Sequence, residues 1–329
     1  MSDGMRAITL GAHVLDVLAR PVDGIPEGQG GALLDQIRVA PAGTAGGTAV
    51  ILAKLGAAVR SVGAVGEDAL GDMLLTLLQR YGVDTSLVPR REGVQTSASV
   101  LPIRADGSRP ALHVIGANAT LTADDVPLSL LDDATHLHVG APELLDPDLV
   151  VMLLRSARER GVTTSADLLA PGDFPGILDM VAPAMAYVDH LLPNDEQVLG
   201  FTGSDDIAEG CRKLLSLGVG AVAATCGADG AVVVTADAAQ RVPAFAVEVV
   251  DTSGCGDAFS AGYLRALALH RSLRDAAILG CATAALVAQG LGTDHGDYDL
   301  AAVERFAATA PVRESAALDG RGARSRVSP

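Results

Sequence analysis

Val249-Val250-Asp251-Thr252-Ser253-Gly254-Cys255-Gly256-Asp257-Ala258-Phe259-Ser260-Ala261-Gly262 runs from a β-like stretch, through a turn of small residues, into a helix-forming segment. Gly254 and Gly256 let the backbone turn so that successive N–H groups face one point. The helix that follows brings the positive end of its dipole to the same place, where phosphate oxygens are stabilised. A carboxylate in such a cradle, Asp257, needs a reason. One reading is a helix N-cap. The other is a general base that takes the proton of a hydroxyl nucleophile while the cradle stabilises charge on the phosphoryl oxygens. Both roles need this location, and at this point both stay open.

Outward from this segment, short β-like runs alternate with helix-like runs, the pattern of a parallel sheet covered by helices. Strands are predicted over Arg6–Leu10, Val59–Val65, His136–Gly140, Val162–Asp167, Val188–Leu192, Val219–Thr225 and Ala231–Thr235. Helices are predicted over Ala45–Leu55, Asp68–Tyr81, Pro147–Arg160, Asp205–Leu217, Asp257–His270 and Leu273–Gln289. One stretch breaks the alternation. Thr96–Ile103 and Arg109–Ile115 are β-rich runs joined by Ala105-Asp106-Gly107-Ser108, a hairpin that either extends a sheet edge or forms a lid over substrate. The glycine-rich segment Asp23–Leu33 is its candidate partner in a small separate sheet. Ala310–Pro329, rich in Arg, Ser and Gly without apolar periodicity, is expected to be a disordered tail.

The 329 residues are 49% hydrophobic and 19% charged, enough apolar side chain for one large core. A net charge of -16 repels nucleic-acid phosphates and anionic lipid, which points to small-molecule partners and away from general nucleic-acid or membrane binding. The same field repels a nucleotide, so a nucleotide site has to work locally through backbone N–H groups, a helix terminus and a divalent cation. Cys211, Cys226, Cys255 and Cys281 lack the spacing of a disulfide framework or zinc site, and a cytoplasmic location is expected. No basic start followed by a long apolar run marks a signal segment. The most apolar stretch, Ala276–Gly292, is interrupted by Thr283 and Gln289 and reads as a buried helix.

The string DTSGCGDAFSAG, residues 251–262, resembles the carboxyl-terminal signature of the ribokinase-like, or PfkB-type, carbohydrate kinases, D-T-x-G-A/C-G-D-x-F-x-A-G. Pro41-Ala42-Gly43-Thr44-Ala45-Gly46-Gly47-Thr48-Ala49, leading through Leu55-Gly56 to Gly63-Ala64-Val65-Gly66-Glu67-Asp68-Ala69-Leu70-Gly71, resembles that family's amino-terminal signature. Alone, GAVGEDALG would also pass for a degraded dinucleotide fingerprint, but it lacks the G-x-G-x-x-G spacing. Gly11–Asp16, Pro193–Glu196 and Thr225–Gly230 resemble further family segments in the expected order, so the resemblance spans roughly residues 6–310.

The resemblance implies an α/β fold of three layers, a mainly parallel sheet flanked by helices, with a small β-sheet lid. One kinase domain would occupy residues 1–310, with lid segments at about 16–40 and 95–118 and a tail at 311–329. The implied activity is transfer of the γ-phosphoryl group of ATP, with Mg2+, to an alcohol group of a sugar or sugar-like molecule. By position, Asp257 is then the catalytic base, and Gly254, Cys255 and Gly256 form the anion hole. Asn194, Thr225, Gly227 and Gly230 contact the nucleotide, and Asp16, Gly43, Gly47 and Asn118 surround the acceptor. Asp251 and Thr252 resemble positions near which many members bind a monovalent cation, K+, and Glu196 is a candidate for Mg2+. A homodimer through the lid's edge follows by the same analogy.

The sequence departs from the family pattern in three places. Gly47 and Val14 stand where ribokinases carry substrate-binding asparagines, and Gln197 stands where the N-x-x-E region has its glutamate, with Glu196 one place earlier. A buried hydroxyl left without a partner costs about 1–3 kcal/mol, so these changes argue against ribose as the best substrate. Low aromatic content, 3% with no tryptophan, places sugars above nucleosides. A nucleoside kinase of the same fold and a nucleotide- or sugar-sensing binding protein stay open as alternatives; a Rossmann-type dehydrogenase lacks its fingerprint. Cys255, inside the glycine turn, reads first as a small, well-packed residue; its place beside a helix N-terminus would lower a thiol pKa, which leaves an oxidation-sensitive switch as the alternative.

Overall fold

The computed structural model describes residues 4–105 and 107–314, so the expected tail lies outside the described residues from 315 onward. Fifteen strands are described. The central sheet contains β1 (Arg6–Gly11), β4 (Ala58–Val62), β6 (Asp84–Leu87), β10 (His136–Gly140), β11 (Thr163–Asp167), β12 (His190–Leu191), β13 (Ala221–Thr225), β14 (Ala231–Val234) and β15 (Ala239–Val242). The lid holds β2 (Val14–Arg20), β3 (Gln36–Ala42), β8 (Ala98–Pro102) and β9 (Leu112–Val114), and the short β5 (Val65–Gly66) and β7 (Arg90–Arg91) pair with each other. The helices are α1 (Gly46–Lys54), α2 (Ala69–Arg80), α3 (Pro147–Glu159), α4 (Ile177–Met185), α5 (Asp195–Thr202), α6 (Ile207–Leu215), α7 (Cys255–Ala268), α8 (Leu273–Val287) and α9 (Leu300–Thr309).

The central sheet has the order β15-β14-β13-β12-β11-β10-β1-β4-β6, parallel from β13 to β6 and antiparallel at β14 and β15. Alternate residues of its strands enter two different cores, because side chains alternate across a pleated sheet. Ala7, Ala223 and Val233 join the core under α1, α7 and α8, built around Ile51, Phe259 and Tyr263. Ile8, Leu10, Val222 and Val232 join the opposite core under α3 and α6, built around Leu153 and Leu214. The result is the three-layer architecture expected from the alternation. All parallel strands point their carboxyl ends at one edge, the edge at which open α/β sheets bind ligands.

Strand β2 leaves that edge to build the lid, whose order is β3-β2-β8-β9. The expected hairpin is present: β8 and β9 are antiparallel, Ala98 opposite Val114. Its partner differs from the expectation. Asp23–Leu33 forms no strand and is an exposed connection, whereas β2 pairs in parallel with β8 and antiparallel with β3. Side chains that alternate between the two faces give β2 one face to pack, while Gly24, Gly28, Gly30 and Gly31 offer nothing to bury and lose more entropy on ordering. Leu18, Ala40, Leu101 and Ile103 on the inner face pack against Leu291 and Val250, so the lid lies down on the loops around the glycine-rich turn. At the other terminus, Pro311 and Arg313 pair with Ala246 and Ala244, holding the chain against the core to Arg313.

Candidate active site

Helix α7 begins at the cradle. Gly254 is its N-cap, with φ at 73°. A Cβ there would sit 2.5 Å from Thr293 Cα and 2.2 Å from its Oγ1, so both the conformation and the space demand glycine. A Cβ on Gly256 would meet nothing within 4 Å, and that residue is exposed, which leaves room above the turn for a ligand. Asp257 lies in the first turn of the helix, not at its cap, and is 8% exposed. The capping position is therefore taken by Gly254, and the carboxylate of Asp257 is free for another use.

The turn is braced from beneath by Asp251, which is fully buried. Its Oδ1 accepts from Ser253 N at 2.8 Å and Ser253 Oγ at 2.7 Å, and its Oδ2 accepts from Gly292 N at 3.0 Å. Arg109, from the connection between β8 and β9, places its Nε 3.7 Å from Asp251 Oδ1. A lid residue thus reaches the base of the cradle. Thr252 is exposed, and its carbonyl accepts from Cys255 N.

Four buried carboxyl groups converge on this edge. Burial and then the charges of Asp167 and Asp16 push Asp257 well above the usual carboxylate range, against the opposing charge of Arg109. Asp167, the last residue of β11, accepts from Ser260 Oγ at 3.3 Å; burial and the charge of Glu143 push it to about 8. Asp16 on β2 is pushed to about 6, chiefly by burial, with Ser99 and Arg109 opposing. Glu143 is raised by burial although its Oε1 accepts from Leu169 N and Ala170 N at 2.6 and 2.7 Å. Its Oε2 is buried without a partner, an unused acceptor at the edge of the site. Desolvation dominates every one of these shifts, so the site is a dry acidic chamber balanced by the guanidinium of Arg109.

Of the residues expected at the acceptor, Asp16 and Gly47 meet Asp257. A Cβ on Gly47 would lie 2.4 Å from Asp257 Oδ2, so the Asp257 carboxylate itself fills the space where an asparagine side chain would begin. Val14 is buried in the lid's first strand. Gly43 follows β3, where a Cβ would come 2.5 Å from the carbonyl oxygen of Ala12. Asn118 is committed elsewhere: its Oδ1 accepts from His13 N at 3.0 Å and its Nδ2 donates to His13 O at 3.1 Å, tying the end of the hairpin to the strand that enters the lid.

On the nucleotide side, Asn194 and Thr225 are brought together by a parallel bridge beyond the end of β12 and at the end of β13. Gly227 is exposed in the turn after β13, whereas Gly230 is buried and shapes that turn, since a Cβ there would run into the carbonyl of Val242. Asn194 and Gln197 form a reciprocal capping box on α5. Gln197 Nε2 also donates to the carbonyls of Leu168 at 2.8 Å and Ala170 at 3.0 Å. A glutamate could not donate these bonds. The amide therefore serves the structure, clamping the same loop whose N–H groups bind Glu143. Glu196 is exposed on the first turn of α5. Among the described residues no cluster of three or more His, Cys, Asp and Glu forms a metal cage.

Of the two readings of Cys255, the structure favours the packed small residue over the oxidation switch. Burial, reinforced by the charge of Asp251, pushes its thiol up to about 12, and Sγ donates to Ala284 O at 3.7 Å. Desolvation outweighs the helix terminus, so the residue is a packed small hydrophobe. Sequence reading missed Asp167, Glu143 and Arg109. Asp167 carried a signal, an acid ending a predicted parallel strand; Glu143 and Arg109 reach the site only through the folding of distant segments.

Known proteins resemble this chain in sequence and in fold. The chain is 32% identical over 267 residues to an ATP-dependent ribose-1-phosphate kinase of Halopiger xanaduensis, covering 79% of this chain and 84% of that one. Adenosine kinase from Sinorhizobium meliloti superposes with a TM-score of 0.78 at 25% identity, covering 92% of this chain and 99% of the other. Arabidopsis thaliana ribokinase, solved with ribose and ATP, has the same fold with a TM-score of 0.77 at 22% identity, covering 92% and 98%. No described helix is long and apolar enough to cross a membrane. With its residues 8–299 matching the family model for pfkB family carbohydrate kinases, the chain belongs to that family of phosphotransferases.

Proposed function

We propose that the chain moves the γ-phosphoryl group of ATP to a hydroxyl of an unphosphorylated sugar or sugar-like polyol, with Asp257 as general base. The observation that carries this reading is the position of Asp257, in the first turn of α7 behind a glycine cradle and walled by Gly47. There it can accept the acceptor's proton while the N–H groups of the cradle face the transferred phosphoryl oxygens. Gly254, Cys255 and Gly256 line the anion hole, and Asn194, Thr225 and Gly227 lie where the nucleotide would contact the sheet edge. Mg2+ bound together with ATP would supply charge neutralisation for the transferred group. The lid excludes water, which keeps ATP from being hydrolysed.

Asp16, Asp167 and Glu143 offer polar partners for the hydroxyls of a neutral polyol. The departures at Gly47 and Gln197 have structural reasons, which weakens the motive for a sensor without turnover; nothing in the structure explains the departure at Val14. The test is ADP release from Mg-ATP against sugars, polyols, nucleosides and ribose 1-phosphate. Turnover on a neutral sugar, lowered about 10²- to 10⁴-fold in Asp257→Asn, is expected. Turnover confined to nucleosides or to the sugar phosphate would overturn the acceptor assignment, and no ATP binding would overturn the activity.

The reading includes a cytoplasmic location, supported by four free cysteines. It also includes a homodimer through the lid, supported by the lid's outer face, where Ile37, Val39, Val100, Leu112 and Val114 are all exposed.

A further inference from the structure

The family resemblance implies a monovalent cation beside Asp251 and Thr252, and the structure already balances the charge that would draw such an ion. Both oxygens of the buried Asp251 carboxylate are taken by three hydrogen bonds, from Ser253 N, Ser253 Oγ and Gly292 N. The remaining negative charge faces Arg109 Nε at 3.7 Å. The nearby carbonyl of Ala288 is used by the N–H groups of Val250 and Asp251 at 2.8 and 3.3 Å, and that of Thr252 by Cys255 N at 3.3 Å.

A second internal cation stands just beyond Gly292. The ammonium of Lys54, at the end of α1, donates to the carbonyls of Asp294, His295 and Gly296 at 3.1, 3.2 and 2.6 Å. It also sits 3.8 Å from the ring centre of Tyr298. Rings of backbone carbonyls are the usual environment of a bound K+, and an aromatic face favours any cation. Arg38 of β3 pairs with the buried Asp294 at 2.8 Å, tying the same loop to the lid. The two segments that brace the cradle, 251–254 and 292–296, are thus each held by a cation of the chain itself.

We propose that this kinase is independent of monovalent cations because Arg109 is the built-in counter-charge of Asp251. Arg109 is a positioning residue: it acts on the transferred group through Asp251 and the turn that Asp251 braces. Because it belongs to the lid, the cradle reaches its charge-balanced form only with the lid down, so lid closure and assembly of the anion hole are one event. An added ion would leave a cradle that is competent with the lid open; a lid-borne arginine does not.

This inference rests on the kinase reading but has a readout that does not need the acceptor. The thermal midpoint of the wild-type chain, alone and with Mg-ADP, is measured in KCl and in tetramethylammonium chloride at equal ionic strength. Equal midpoints are expected, and a rise of several degrees specific to KCl overturns the proposal. In turnover, wild type is expected to differ by less than about twofold between the salts, while Arg109→Met loses about tenfold or more in kcat with a smaller change in KM, and Arg109→Lys recovers part of the loss. Activation of wild type about fivefold or more by K+, or an Arg109→Met chain with wild-type kcat, overturns it. Failure of every acceptor in both salts would count against the activity, and the midpoints would still decide the cation question.

Discussion

At the scale of single residues, the proposal that Asp257 is the base makes its ionisation the governing quantity. A base must be ionised to work, and burial with two neighbouring carboxyl groups raises its pKa. kcat/KM is therefore expected to rise with pH along an acid limb displaced above the ordinary carboxylate range. Asp167→Asn removes one of those neighbours, so its limb should move to lower pH; coincident limbs in the two proteins would show that Asp167 does not act on the base. Gly47→Ala adds a methyl group 2.4 Å from Asp257 Oδ2 and is expected to cost at least about tenfold in kcat, with little change in Mg-ATP affinity measured by calorimetry. The glycine turn and Asp257 could be read from the sequence because they are contiguous and their roles follow from local backbone geometry. Asp167, Glu143 and Arg109 come from three separate segments, and their meeting is a property of topology. The switch alternative for Cys255 fails for a related reason: a helix terminus is visible in a sequence, whereas the degree of desolvation is not.

At the scale of elements, the small sheet presents two faces, and the proposed dimer uses the outer one. Its inner face, Leu18 and Leu101, packs on the core, while its outer face exposes Val100 at 48% and Leu112 at 61%. Val100→Glu places a charge in the middle of that outer face and is expected to convert a dimer to a monomer in sedimentation analysis without loss of fold; a wild-type monomer would dismiss the interface. Most elements were legible because their apolar periodicity is regular, as in the predicted β10, matched end to end, and α3, matched to within one residue. Helix α4 was hidden by Pro183 within it, α5 by its shortness, and α9 by a face that buries only Val303. The lid strands β2 and β3 were illegible as a pair because a long exposed connection separates them, and only their mutual register along Asp16 and Ala40 reveals the partnership.

For the whole molecule, the buried acids set how stability responds to pH. Asp167 and Asp16 have pKa values near 8 and 6 in the folded chain, above 3.8, so the folded state holds protons that the unfolded state releases. Stability from this source is fully present below about pH 4, falls as pH rises, and stops falling once both groups ionise near pH 8. The thermal midpoint should accordingly decline from pH 5 to pH 8, and Asp167→Asn should flatten that decline and melt several degrees higher than wild type at pH 8. An unchanged slope would mean that Asp167 is ionised in the folded protein. The crowding of acids around one arginine also makes the site a proton reservoir. When a cation-bearing nucleotide enters and favours the ionised acids, hydrogen ions leave for the solvent, and the heat of binding will depend on which buffer takes them up.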